Sequence, residues 1–351
     1  MKKPTICVIF GGASSEHEVS CVSAASICRN IDPERFDVVR LGIARNGDSF
    51  LFSGTPEQME SGQWLLDRNN RSAHISHNPS DHGLLFSDGE ILPIDLLFPV
   101  LHGKNGEDGS IQGLFQLSGI PYVGCGILSS AICMDKEMTH IMLASAGIPM
   151  ARYAAVRKSE PFSQALEKAR KIGFPLFVKP ANAGSSVGVS KVSEEGKLAV
   201  ALEAAFAEDD KLLLEEAIIG AEVECAVLDG EELTASVVGE IVPANSFYDY
   251  NAKYQNAESL LYIPARIPQD QAELIRRTAL AAFRRLECRG LSRVDFFARA
   301  DGSIILNEIN TLPGFTSISM YPKLFEASGI PYPQLLEKLI ATSLRGSGNK
   351  N

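Results

Sequence analysis

Residues 291–310 read LSRVDFFARADGSIILNEIN, two apolar-rich runs either side of Asp301-Gly302. Asp-Gly is a favoured two-residue turn between paired strands. With that turn, Ala300 faces Ser303, and pairing continues outward until Asp295 faces Glu308 and Arg293 faces Asn310. Opposed side chains on one sheet face lie about 4.5–5.5 Å apart at Cβ, where like charges destabilise the pair. Two carboxylates so placed require a cation. Asn310 stands two residues beyond Glu308 and so shares its face. Asp295, Glu308 and Asn310 offer only oxygen, a donor set that suits Mg²⁺ completed by phosphate and water rather than zinc. A solvated carboxylate pair on an exposed strand is the ordinary alternative. The apolar flanks and Arg293 weigh against it.

Upstream, PLFVKPANAGSSVGVSKV at 175–192 ends an apolar strand on Lys179 and follows it with Gly184, Ser185, Ser186 and Gly188. Small residues let backbone amides and hydroxyls approach phosphate oxygens. The spacing is not GxxxxGK[ST], so this is not the common P-loop. HGKNGEDGSIQG at 102–113 follows a buried strand, where α/β sheets bind ligands. His102 taken singly reads as a structural histidine. Gly11-Gly12 with Glu16 opens the chain as strand, glycine turn and helix, without the GxGxxG spacing of a dinucleotide site.

The pattern around these motifs predicts α/β and α+β architecture in three domains. Residues 1–124 carry strands at 5–10, 36–43, 94–101 and 119–123, read as a parallel sheet. Their polar 50–90 stretch reads as loop with a small hairpin. Residues 125–219 form an α+β unit, with helices at 129–146, 162–172 and 195–207 and strands in FPLFVKP, VGVSKV and KLLLEEAI. Residues 220–351 hold further strands, a helix at 268–286, the acidic hairpin, a last helix at 332–345 and a disordered end, RGSGNKN. No internal repeat is found.

Length and composition fit this division. A chain of 351 residues exceeds one ordinary core, and 45% hydrophobic with 22% charged residues is globular. A net charge of -10 argues against a phosphate-backbone binder, which needs a basic face, while local basic pockets leave a single nucleotide open as ligand. The apolar run after Lys2 and Lys3 is about half a signal-peptide core and meets Gly11-Gly12 at once, so it reads as a buried strand. No stretch reaches the roughly 18 apolar residues of a membrane helix. The seven cysteines are scattered without CxxC spacing, which predicts reduced thiols in a cytoplasmic protein, each a small core residue.

Taken together the motifs resemble the D-alanine–D-alanine ligases of the ATP-grasp superfamily. The matching blocks are GGASSEHEVS, HGKNGEDG, CMDK, VKPANAGSSVGVSKV, FYDYNAKY, SRVDFF and NEINTLPGFTSISMYP, in the family's order along nearly the whole chain. The resemblance implies an ATP-grasp fold with an N-terminal parallel-sheet (pre-ATP-grasp) domain. It implies a cytoplasmic, homodimeric enzyme that joins two D-alanines through an acyl phosphate for peptidoglycan precursor synthesis, using ATP and two Mg²⁺ ions, with Mn²⁺ able to substitute. By position, Lys136 and Lys179 would bind ATP phosphates, Glu215, Glu216 and Ile218 would lie at the adenine, and Glu222 at the ribose. Asp295, Glu308 and Asn310 would hold the metals. Glu16 would meet the first ammonium and connect through Ser185 to Tyr254. Arg293 and the Gly314 amide would stabilise the oxyanion. Lys253 and Ser319 would hold the second carboxylate, His102 would lie near the first substrate, and Ser186 with FYDYNAKY would help close a lid.

Specificity follows the same comparison. Ligases of this kind that make D-alanyl-D-lactate carry histidine at the position of Tyr254, and those that make D-alanyl-D-serine commonly carry arginine at that of Met320. This chain has Tyr254 and Met320, which favours D-alanine as second substrate and leaves modest D-serine activity plausible, since an apolar pocket rejects a hydroxyl by only about a hundredfold. Another ATP-grasp carboxylate–amine ligase, a non-enzymatic nucleotide-binding module and a dinucleotide oxidoreductase are the competing classes. Glu16, FYDYNAKY and Ser319-Met320 speak against the first, the metal set beside Arg293 against the second, and the glycine spacing against the third.

Overall fold

The computed structural model describes residues 2–184, 187–242 and 260–346. TICVIFG forms β1 (Thr5–Gly11), buried at every position and therefore uniformly apolar rather than alternating. It pairs in parallel with β2 (Asp37–Ile43) on one side and β7 (Leu96–Pro99) on the other. The intervening stretch adds β3 (Ser49–Phe52), β4 (Arg71–Ile75), β5 (Gly83–Phe86) and β6 (Ile91–Pro93), giving the order β6-β5-β4-β3-β2-β1-β7.

The expected parallel sheet is therefore mixed. Strands β2 to β6 form an antiparallel meander, because their short connections cannot make the crossover that parallel strands need. The expected strand at 119–123 reduces to one parallel bridge, Leu97 to Tyr122. Helix α1 (His17–Asn30) follows β1, α2 (Pro56–Glu60) lies within the meander, and α3 (Ser110–Ser118) follows HGKNGEDG.

The expected helix at 129–146 is two helices, α4 (Ile127–Met134) and α5 (Lys136–Ala144). Asp135 breaks them: its backbone is extended and its carboxylate accepts from the amides of Glu137 and Met138 at 3.1 and 3.2 Å, as N-cap of α5. That break starts the second helix on Lys136. A four-stranded antiparallel sheet follows, β10 (Ser190–Val192), β9 (Leu176–Pro180), β11 (Lys211–Glu216) and β8 (Tyr153–Arg157) in that spatial order. Helices α6 (Phe162–Ile172) and α7 (Leu198–Phe206) share its core, where Val156, Val178 and Leu214 meet Ala165 and Leu202.

A five-stranded antiparallel sheet completes the fold: β14 (Leu260–Tyr262), β13 (Leu233–Val242), β12 (Ala221–Asp229), β15 (Leu291–Ala298) and β16 (Ile304–Asn310). Helix α8 (Gln269–Arg285) covers one face through Ile275, Ala279 and Phe283. After α9 (Met320–Ala327), the last helix α10 (Tyr332–Gly346) returns to the first sheet, and Leu335, Leu336, Leu339 and Ile340 share a core with Ile6, Val8 and Phe10. FYDYNAKY, Ser185, Ser186 and the last five residues lie outside the described residues.

The β15–β16 hairpin differs from expectation in its turn. Pairing at the tip runs Ala298 to Ile304 and Phe296 to Leu306, so the loop holds three residues, with Gly302 in the left-handed region at φ 84°. The Arg299 amide donates to Ser303 O at 2.9 Å, closing it. A bulge at Asn307 then shifts the register back, and Asp295 faces Glu308 and Arg293 faces Asn310 after all.

Candidate active site

A solvent-open cleft lies where the three sheets meet. The β1–α1 turn supplies Glu16 and the loop after β7 supplies Glu107; Lys136 comes from the start of α5 and Lys179 from β9. The five-stranded sheet adds Glu224, Arg293, Glu308 and Asn310, and the chain beyond β16 adds Gly314, Ser319 and Met320.

Lys179 and Glu215 form a buried ion pair across adjacent strands, and His140 Nε2 lies 2.9 Å from the other Glu215 oxygen. Burial raises the Glu215 carboxyl, but Lys179 and His140 outweigh it and hold it at about 2. Lys179 Nζ also reaches Asn307 Oδ1 at 3.4 Å, which ties the four-stranded sheet to the bulge of the five-stranded one. Lys136 Nζ donates to Ala183 O at 2.7 Å, beside the glycine-serine loop.

Arg293 forks onto Asp295 at 2.8 and 2.7 Å, with Glu224 3.0 Å from its Nε. Burial pulls its pKa down; Asp295, Glu224 and Glu308 outweigh burial and hold the guanidinium well above its usual range. A fixed positive charge thus sits beside the acidic hairpin. Among the described residues no group of three or more His, Cys, Asp or Glu side chains is set to hold a metal. The hairpin's donors are two carboxylates and an amide, all oxygen, a type that fits Mg²⁺; Glu308 and Asn310 face the cleft, while Asp295, paired across the hairpin with Glu308, has both oxygens on Arg293.

The glycine-rich loops hold Glu16. A Cβ at Gly103 would lie 2.7 Å from Glu16 Oε2 and one at Gly184 3.2 Å from it, so the carboxylate sits between two loops that only glycine allows so close. Glu107 staples the same region, accepting from the Gly103 amide at 2.7 Å and from the Leu312 amide at 3.3 Å. Burial and the neighbouring Glu16 push its carboxyl up to about 8. His102 Nδ1 donates to Leu312 O at 3.0 Å and its Nε2 lies 3.4 Å from the Ser23 hydroxyl. Burial, against the pull of Glu16, lowers the imidazole pKa below its usual range. Ser319 Oγ accepts from the Thr316 amide at 3.0 Å at the entrance to α9.

Of the expected site residues, Glu16, Lys136, Lys179, Glu215, Arg293, Glu308, Asn310, Gly314, Ser319 and Met320 line this cleft. Others do not. Glu216 turns outward to Arg152, whose Nε and backbone amide both lie 2.8 Å from its carboxylate. Asp295 lies beneath Arg293, and His102 braces the loop behind the cleft. Ile218 and Glu222 are not among the lining residues. Ser185, Ser186, Lys253 and Tyr254 fall outside the described residues. Sequence reasoning missed Glu107, His140, Glu224 and Asn307. An acid in the buried middle of β12 signals Glu224, and HGKNGEDG contains Glu107; nothing local marks His140 or Asn307.

A four-stranded antiparallel sheet carrying Lys179, facing a larger sheet that carries the acidic hairpin, is the ATP-grasp arrangement. Residues 5–125 match the family model described as D-ala D-ala ligase N-terminus, and residues 142–341 match that described as D-ala D-ala ligase C-terminus. The chain is 48% identical to the D-alanine–D-alanine ligase of Acetivibrio thermocellus, over 96% of this chain and 95% of that one. It is 44% identical to that of a Mycobacterium species, over 99% and 98%. Among solved structures, the D-Ala:D-Ser ligase of Enterococcus faecalis superposes with a TM-score of 0.90 at 42% identity, covering 97% of this chain and 99% of that one. The D-alanine–D-alanine ligase of Coxiella burnetii gives 0.87 at 33% identity, covering 99% and 97%. The chain belongs to the D-alanine–D-alanine ligase family.

Proposed function

We infer that this chain joins two D-alanines to D-alanyl-D-alanine at the expense of ATP, a step of peptidoglycan precursor synthesis. The observation that carries the reading is one cleft that unites a buried carboxylate (Glu16), two lysines and an arginine-bearing acidic hairpin. A carboxylate is a poor electrophile, so the first D-alanine must be activated as an acyl phosphate before the second amine attacks. Lys136 and Lys179, pointing into the cleft from two sides, orient the phosphates and spread their charge. Mg²⁺ bound by Asp295, Glu308 and Asn310 would neutralise further phosphate charge there. Glu16 receives the ammonium of the first D-alanine. Arg293, fixed by Asp295 and Glu224, and the Gly314 amide stabilise the tetrahedral oxyanion; one such donor is typically worth about 2.7–4 kcal/mol of barrier. Ser319 orients the second carboxylate, together with Lys253. Ser185 and Tyr254 steady Glu16, and Ser186 helps exclude water, which would hydrolyse the acyl phosphate.

Glu215 at the adenine, with Glu216, Ile218 and Glu222 nearby, completes the nucleotide end, although Glu216 must present its backbone rather than the side chain that Arg152 holds. His102 acts behind the first substrate through the Leu312 carbonyl. The proposed division is 1–124 for the first substrate, 125–219 for ATP and 220–351 for metal and catalysis. We place the enzyme in the cytoplasm as a homodimer; no helix among the described residues is long and apolar enough to cross a membrane.

D-Serine as second substrate is the alternative, since the Enterococcus faecalis neighbour is a D-Ala:D-Ser ligase. Met320 favours D-alanine. It is buried, with its Cε at the position a Cβ on Gly239 would need, and leaves an apolar wall. The test is phosphate release from ATP with D-alanine, L-alanine, D-serine and D-lactate. Release that requires D-alanine and fails with L-alanine is expected; no D-alanine-dependent turnover in folded, magnesium-loaded protein would end the reading.

A further inference from the structure

Three of the seven cysteines, scattered in sequence, meet beside the cleft. Cys133 is the penultimate residue of α4 and lines the cleft wall three residues before Lys136. Its Sγ lies 4.0 Å from that of Cys288, which precedes β15 and is buried. Cys125 stands behind Cys288, sealed from solvent, its thiol directed at the carbonyls of Arg289 and Leu291 at 3.6 and 3.9 Å. The other four cysteines take no part. One thiol of the group is thus open to small molecules, one stands next to it, and the third, also in contact with Cys288, points at backbone carbonyls away from the cleft.

We propose that Cys133 and Cys288 form a redox modification site, in which a small-molecule disulfide entering the cleft oxidises the pair to an intramolecular disulfide. In the first step the Cys133 thiolate, its proton released to solvent through the cleft, attacks one sulfur of a disulfide such as oxidised glutathione. A Cys133–glutathione bond forms, the original S–S bond breaks, and one glutathione leaves and takes up a proton. In the second step the Cys288 thiolate attacks Cys133 Sγ and the second glutathione leaves as thiol. Two protein thiols are oxidised and one disulfide is reduced to two thiols. The sulfurs must approach by about 2 Å to reach bonding distance. Against the effect of Cys125, contact with Cys133 and burial hold the Cys288 thiol well above the usual thiol range, so the second step is the slower one. The glutathionyl group on Cys133 occupies the space in front of Lys136, so nucleotide and modification exclude each other; this last point rests on the ATP reading of the cleft.

The full chain, treated with oxidised glutathione and mapped by peptide mass, should yield a linked Cys133–Cys288 peptide and a protein lighter by two hydrogens. Cys288→Ser should trap the mixed disulfide on Cys133, and Cys133→Ser should give neither product. Dithiothreitol should reverse both. Linkage through Cys125, or a mixed disulfide first appearing elsewhere while Cys133 stays reduced, would overturn the proposal. Saturating ATP should slow the reaction at Cys133 at least tenfold. An unchanged rate would overturn the exclusion by nucleotide, while turnover assays judge the ligase reading separately.

Discussion

Replacing Gly103 by alanine isolates the contribution of the Glu16 carboxylate from that of the fold. The new Cβ would meet Glu16 Oε2 at 2.7 Å, about 0.7 Å short of the 3.4 Å at which such contacts become ordinary. The obstacle is the far end of a flexible side chain, so Glu16 swings aside and little packing energy is lost. The remaining stability cost is that of a left-handed residue at φ 72°, about 1–2 kcal/mol for alanine. Function is more exposed. A misplacement of about 1 Å in a reacting group costs on the order of a hundredfold, so 0.7 Å predicts about a twentyfold loss of kcat/KM for D-alanine. Gly184→Ala is the internal control. Its Cβ falls only about 0.2 Å short, at 3.2 Å, and its φ is not positive, which predicts a two- to threefold loss and an unchanged unfolding temperature. Phosphate release against D-alanine concentration, with thermal unfolding alongside, reads both quantities. Gly103→Ala within twofold of the parent, or Gly184→Ala the worse of the two, would refute the clamped-carboxylate account.

Three further outcomes are expected. Glu215→Gln should destabilise by about 3 kcal/mol at neutral pH, the value of lowering a buried carboxyl from 4.5 to about 2. Because the folded pKa is depressed, the parent's advantage in urea unfolding should hold above pH 4.5 and shrink as pH falls towards 2; a constant difference would contradict the pairing with Lys179. Glu107 is the opposite case, raised from 4.5 to about 8, so its contribution is full below pH 4.5 and is lost as pH rises through about 8. Glu107→Gln should therefore flatten the fall of unfolding temperature on the alkaline side, and a parallel fall in parent and variant would show that the carboxyl is not protonated. Glu308→Gln should abolish turnover with the unfolding temperature nearly unchanged, and chelation of divalent cations should silence the parent until Mg²⁺ or Mn²⁺ is restored; retained activity would remove Glu308 from the metal set.

What was legible in the sequence was local. The 162–172 helix emerges at its expected bounds, and α8 and α10 within a residue of theirs, because apolar spacing at the helical period carries its own signal. The break at Asp135 needed attention to a single capping residue inside a continuous helical pattern. The meander at 49–93 was not legible, since strands of only three to five residues, separated by connections rich in Gly, Asn and Asp, give no periodicity and take their order from pairing outward from β2. His140 and Glu224 entered the site through contacts across 75 and 69 positions of sequence, with Glu215 and Arg293, and no local pattern reports such partners.

The acidic hairpin shows how a correct pairing came from an incorrect turn. A two-residue turn would set Asp295 against Glu308 directly. The actual three-residue loop, left alone, would set Asp295 against Asn307 and bring Glu308 opposite Val294, whose side chain belongs to the core under α8. A one-residue slip turns every following side chain to the other face, so Glu308 would be buried in hydrocarbon and the metal set lost. The bulge at Asn307 cancels the slip and, being unpaired, also leaves Asn307 on the cleft side, where its amide meets Lys179. Two single-residue irregularities of opposite sign therefore produce both the Asp295–Glu308 pair and the contact to the lysine-bearing sheet. The sequence rule recovered the first by cancellation and had no means of finding the second.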